Sequence, residues 1–119
     1  MALILFVDDE ELTLKLLKQA ATILGHEAIT SSTPEEALSL AASASPDLIL
    51  TDVNLNGPRS FGMIETLKGQ QQTSHIPILT LSALAPEEVE PIARRSGAAA
   101  SLSKPIRLNY LLDVIRQHT

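Results

Sequence analysis

The sequence predicts an α/β fold: a doubly wound, five-stranded parallel sheet in the order 2-1-3-4-5, with helices on both faces. Two observations carry that expectation. Apolar runs of strand length alternate five times with segments of helical spacing, joined by short connections. The strongest runs, residues 2–7, 47–51 and 76–82, are nearly continuous in apolar residues rather than alternating, so both faces of their sheet must be covered. At 119 residues and 45% hydrophobic content, the chain is the size of one domain with a core of its own, and residues 1–119 are expected to form that single domain.

The elements follow in order. "ALILFV" (2–7) is the first strand. Residues 10–24 place Leu12, Leu16, Leu17, Ala20, Ile23 and Leu24 on a wide apolar face, and Gly25 stops that helix. "EAITS" (27–31) is a weaker strand. In "TPEE", Thr33 caps a helix over 34–44, Pro34 takes its first position and Glu36 closes a capping box. "DLILT" (47–51) is the third strand. After it comes the longest stretch without periodicity, "NLNGPRS" (54–60), a loop of the kind that often carries function. A helix over 62–70 turns Ile64 and Leu67 inward, and "IPILTLS" (76–82) is the fourth strand. The fourth helix runs from Pro86 to just before Gly97; Pro91 inside it removes a hydrogen bond and calls for a kink or a late start. "AASLS" (99–103) is a weaker fifth strand. The last helix, from Arg107, buries Leu108, Leu111, Leu112 and Ile115 and leaves Tyr110 on its outer side.

Composition narrows the function. The only aromatics are Phe6, Phe61 and Tyr110, so the core is aliphatic. The absence of cysteine removes disulfides, thiolate chemistry and cysteine zinc sites, and fits a reducing compartment. A net charge of −5, with no basic cluster larger than Arg94-Arg95, argues against nucleic-acid binding. No apolar run is long enough to span a bilayer, and no basic stretch precedes the N-terminal apolar segment; a cytoplasmic protein without a membrane partner is the expectation. His26, His75 and His118 have no metal-ligand spacing.

Four of the five strands deliver a charged or hydroxyl side chain to one edge. In open α/β sheets ligands bind outside the carboxyl ends of the strands, where the strand order reverses. The first strand ends in Asp8 and Asp9, the third in Asp52, the fourth in Ser82 and the fifth in Lys104. Helix capping and the helix dipole account for acids in a first turn such as Glu10 and Glu11. They leave Asp8 and the pairing of carboxylates unexplained, because adjacent carboxylates repel unless a cation sits between them. With strands one and three adjacent, three carboxylates meet, and their hard oxygens suit Mg²⁺ shared with phosphate oxygens. Lys104 adds positive charge and Ser82 a hydroxyl, as needed to hold a phosphoryl group on a carboxylate nucleophile.

These residues resemble the receiver domain of two-component response regulators, a flavodoxin/CheY-like (βα)5 fold, over nearly the whole chain. The matching pieces are "FVDDE" (6–10), "LILTDVNL" (48–55), "ILTLSA" (78–83) and "GAAASLSKPI" (97–106) with the helix after it. The resemblance implies that Asp52 accepts a phosphoryl group from the phosphohistidine of a histidine kinase or histidine phosphotransfer protein. It implies Mg²⁺ (with Mn²⁺ as a substitute) held by Asp9, by Asp8 largely through water, by Asp52 and by the Asn54 carbonyl. Lys104 would pair with the phosphoryl oxygens, before a cis peptide to Pro105. The Ser82 hydroxyl and the Ala83 N–H would bond the phosphoryl group. Such a domain catalyses its own phosphorylation and dephosphorylation. It hands the signal to an output domain, or to a second copy, through the face made by the fourth helix, fifth strand and fifth helix.

Three features depart from that pattern. Receivers carry an aromatic three residues before the lysine, where this chain has Ser101. Asn56 stands where proline is expected, and Gly62 follows Asp52 by ten residues rather than eight, which reads as a two-residue insertion. Pro91 is the third. Two rival functions fit the residues less well. A haloacid-dehalogenase-type phosphatase needs a second aspartate where Asn54 stands; an interaction module that has lost phosphorylation would lack an acid or the lysine, and this chain lacks neither.

Overall fold

The strand Ile78–Ser82 is buried along its whole length and two others are buried at all but one end residue, and that burial organises the molecule. The computed structural model describes residues 2–53, 59–104 and 106–119. Strands β1 (Leu3–Val7), β2 (Glu27–Ser31), β3 (Leu48–Asp52), β4 (Ile78–Ser82) and β5 (Ala100–Ser103) alternate with helices α1 (Glu11–Ile23), α2 (Pro34–Ala44), α3 (Arg59–Gly69), α4 (Pro86–Ser96) and α5 (Leu108–His118). All strand pairs are parallel, in the order β2-β1-β3-β4-β5. The apolar runs predicted as the strongest strands are the three central ones. The two weaker ones, β2 and β5, are the edges, where only one side is paired and apolar continuity is not required.

Side chains alternate across each strand and build two cores. Ile4, Phe6, Leu50, Leu79 and Leu81 face α1 and α5, meeting Leu14, Leu17, Leu111, Val114 and Ile115. Leu5, Val7, Ile49 and Ile78 face the other way, toward α2, α3 and α4, meeting Ala37, Ile64, Leu67, Val89 and Ala93. The residues at the ends of β1, β3 and β4 are carried by this doubly covered scaffold. Each leucine it buries contributes roughly 1.5–3 kcal/mol.

Several helix expectations need correction. The buried residues of α1 are Leu14, Leu17 and Ala21, whereas Leu12, Leu16 and Ile23 are 62%, 57% and 73% exposed. The predicted face was therefore rotated. In α5, Val114 is buried with Leu111 and Ile115, while Leu108 lies 45% exposed at the first helical position. Tyr110 faces outward as expected. Helix α3 is already formed at Arg59, three residues before its expected start. Helix α4 begins at Pro86 and runs through Pro91, so the proline does not delay it. The cap of α2 is as predicted on one side: the Glu36 N–H donates to Thr33 Oγ1 at 3.2 Å. The return bond comes from the N–H of Ser32 to Glu36 Oε1 at 3.3 Å, one residue before the cap. His26, in the connection between α1 and β2, accepts the Ala2 N–H on Nδ1 at 3.0 Å and helps seat the start of β1.

Candidate functional site

The carboxyl ends of β1 and β3 lie side by side because β2 is placed outside β1, so the order reverses between them. The Asp8 N–H donates to the Ser31 carbonyl at 3.1 Å and so continues the ladder one residue past β1. Asp8 Oδ1 then accepts the Glu10 N–H at 2.9 Å, which turns the chain into α1. No side-chain cap bond forms at the start of α1, so the capping expected of the first-turn acids is not seen there; Asp8 makes the turn before the helix and is buried at 3% exposure. Its second oxygen, Oδ2, takes a bond from Lys104 Nζ at 3.1 Å, and the same ammonium donates to Asp52 Oδ1 at 2.8 Å. Carboxylate oxygens of Asp8, Asp9 and Asp52 all lie within 4.8 Å of one another, with Asp9 exposed and Asp52 half-buried.

Ser82 and Lys104 are joined through the backbone: the Lys104 N–H donates to the Ser82 carbonyl at 2.8 Å. Ser82 is buried, and its Oγ accepts the Leu84 N–H at 3.0 Å, which leaves its own proton to donate elsewhere. Ala83 follows it at the exposed rim. The structure thus brings Asp8, Asp9, Asp52, Ser82, Ala83 and Lys104 to one edge. Asn54, Asn56 and the Lys104–Pro105 peptide, also singled out from the sequence, lie outside the described residues.

Two residues at the site escaped sequence reasoning. The hydroxyls of Thr51 and Ser60 both donate to the Asp52 carbonyl, each at 3.1 Å, and hold the backbone on which that carboxylate sits. Thr51 reads as an ordinary strand residue. Ser60 falls in the stretch predicted as a loop, lies in the first turn of α3, and nothing in its spacing marks it.

Among the described residues, three carboxylates face one ammonium, which makes the pocket strongly acidic. Burial raises the Asp8 carboxyl above its ordinary value. The Glu10 N–H pulls it back, Asp52 adds repulsion and Lys104 offsets part of that. Burial works against the Lys104 ammonium, but its bonds to Asp52 and Asp8 outweigh it and hold the group above its ordinary value. Hard oxygen donors in that number and spacing fit a hard divalent cation.

The profile of the response regulator receiver domain matches residues 4–116. The chain belongs to that family. It is similar to the polar-differentiation response regulator DivK of Brucella ovis, with 32% identity over 97% of this chain and 94% of the relative. Among solved structures it is similar to the chemotaxis protein CheY4 of Vibrio cholerae, with 28% identity, a TM-score of 0.91, and coverage of 100% of this chain and 99% of that one. A response regulator receiver domain from Clostridium thermocellum is 26% identical, with a TM-score of 0.87 over 99% and 94% of the two chains. The protein is therefore a receiver domain of two-component signal transduction, with the CheY-like fold. Receiver domains bind Mg²⁺ at an acidic pocket, and this receiver has an acidic cluster at Asp8, Asp9 and Asp52. Receivers interact with histidine kinases or phosphotransfer proteins and with output domains. Among the described residues, no helix is long and apolar enough to cross a membrane.

Proposed function

We propose that Asp52 is the phosphoacceptor of this receiver and that residues 1–119 act as one receiver domain. The observation that carries the reading is Lys104, whose ammonium reaches Asp52 at 2.8 Å and Asp8 at 3.1 Å across the reversal point of the sheet. An Asp52 oxygen attacks the phosphorus of a phosphohistidine on a histidine kinase or phosphotransfer protein. The O–P bond forms as the N–P bond breaks, and the imidazole nitrogen keeps the electron pair. Negative charge shifts toward Asp52 during this transfer, and Lys104 is placed to neutralise it. Ser82 donates its free proton to one phosphoryl oxygen, and the Ala83 N–H serves another. Thr51 and Ser60 keep the attacking carboxylate in line by fixing its carbonyl.

Asp8, Asp9 and Asp52, with the Asn54 carbonyl, would hold Mg²⁺, or Mn²⁺ in its place. Such an ion supplies neutralisation of the carboxylates and of the phosphoryl oxygens. The downstream reader is an output domain or a second copy at the face of α4, β5 and α5. The acidic charge and lack of cysteine fit a cytoplasmic setting.

The test is incubation with Mg²⁺ and acetyl phosphate or phosphoramidate, read by intact mass. One added phosphate is expected, and Asp52→Asn should remove it. Undiminished labelling of that variant would sink the assignment.

A further inference from the structure

One residue below the site, the strand register lines up three hydroxyls. Thr51 of β3 stands opposite Thr80 of β4, and Thr80 opposite Ser101 of β5. Opposed residues of neighbouring strands share a sheet face. Here that face is the one of Ile78, over which α4 packs Val89 and Ala93. Thr51 and Thr80 are fully buried. The Thr51 hydroxyl donates to the Asp52 carbonyl, and the Thr80 hydroxyl donates to Ser101 Oγ at 2.8 Å. Ser82 lies two residues further along β4 on the same face. A hydroxyl buried among aliphatic groups that loses its partner keeps its desolvation cost, so this pair resists any sliding of β5 along β4.

A second tie holds the carboxyl end of α4. Gly97 closes that helix at φ +115°, and a Cβ there would stand 2.7 Å from Lys68 Cγ. The Lys68 ammonium donates to the carbonyls of Ile76 at 2.6 Å and Ser74 at 3.1 Å, on the segment that leads into β4. The carboxyl end of α4 therefore rests on a side chain that is itself anchored to the entry of β4.

We propose that the Thr80–Ser101 hydroxyl pair, backed by Lys68 under Gly97, latches β5 and the end of α4 to β4 in one arrangement. A phosphoryl group on Asp52 then alters the loops at the carboxyl edge and leaves the α4–β5 surface as it is. A reader seated on α4, β5 and α5 tells the two forms apart only by also touching the rim, at residues 8–10, 83–85 and 104. The inference rests on Asp52 as phosphoacceptor, and its test separates the two.

Amide shifts of the ¹⁵N-labelled chain are compared with and without beryllofluoride and Mg²⁺. In the wild type, changes are expected only near residues 8–10, 52–53, 82–85 and 103–104, and in Ser101→Ala they should spread through 89–101. Wild-type changes that already spread through 89–101 overturn the latch. The second arm uses no phosphoryl mimic. Loss of the pair in Ser101→Ala should speed hydrogen exchange at residues 79–82 and 100–102 about tenfold, and Ser101→Thr should restore it. Exchange unchanged in Ser101→Ala overturns the latch as well. If beryllofluoride moves no amide, the phosphoacceptor reading fails, and the exchange arm alone decides the latch.

Discussion

Asp8 is both the most buried acid of the site and the one whose carboxyl is held above its ordinary value of 3.8. The sign of its contribution follows from linkage. A carboxyl raised in the folded state binds its proton more tightly there than in the unfolded chain. The stability it contributes is full below its unfolded value and is lost as pH rises through the raised one. At neutral pH, ionised Asp8 therefore costs the metal-free domain stability. Asp8→Asn keeps an oxygen for the Glu10 N–H and leaves Lys104 its bond to Asp52. In the presence of a chelator, this variant should be more stable than wild type at neutral pH by on the order of 1 kcal/mol. The difference should shrink as pH falls and the wild-type carboxyl takes up its proton. Urea midpoints measured across that fall in pH check it, and a variant less stable at neutral pH contradicts it.

At the scale of elements, α1 is the helix whose inward face was misjudged, and the reason lies in its composition. Its apolar residues wrap most of the way round, so Leu12, Leu16 and Ile23 fit a helical stripe as well as Leu14, Leu17 and Ala21 do. Position on the sheet decides between them. Asp8 turns the chain at Glu10, and the helix then lies against Phe6 and Leu50 with the second stripe inward. Leu14→Ala should accordingly cost roughly 2–4 kcal/mol, and Leu12→Ala less than about 0.5 kcal/mol. Thermal denaturation of the two variants gives the comparison, and equal losses would restore the rotated face. The end of α4 offers a second check. Gly97→Ala meets both the left-handed backbone and the Lys68 stem, and a loss of about 1–3 kcal/mol is expected from the same measurement.

For the whole molecule, the scaffold's principal effect is to force like charges together. Folding gathers Asp8, Asp9 and Asp52 within 4.8 Å and, among the described residues, offers them one ammonium, a gathering that the unfolded chain does not suffer. A cation that binds only the folded form then stabilises it by mass action. Millimolar Mg²⁺ should raise the melting temperature by several degrees, and Asp9→Asn should remove most of that rise. The response should also fade as pH falls and the Asp8 carboxyl takes up its proton. A wild-type melting curve indifferent to Mg²⁺ would contradict a cation site at these acids.

The sequence by itself determined the layer order, because continuous apolar runs cannot face water on either side. The turn chemistry of Thr33-Pro34, the closing Gly97 and the strand-end placement of Asp8, Asp9, Asp52, Ser82 and Lys104 were equally legible, since each depends on a residue and its near neighbours in the chain. Tertiary structure decided what depends on distant neighbours. Lys104 bridges to Asp8 across 96 residues of chain, Ser60 and Thr51 converge on one carbonyl, and Thr80 finds Ser101 only through the β4–β5 register. It also selected the buried stripe of α1, because a helix that is apolar on several sides is oriented by the surface it packs on and not by its own periodicity.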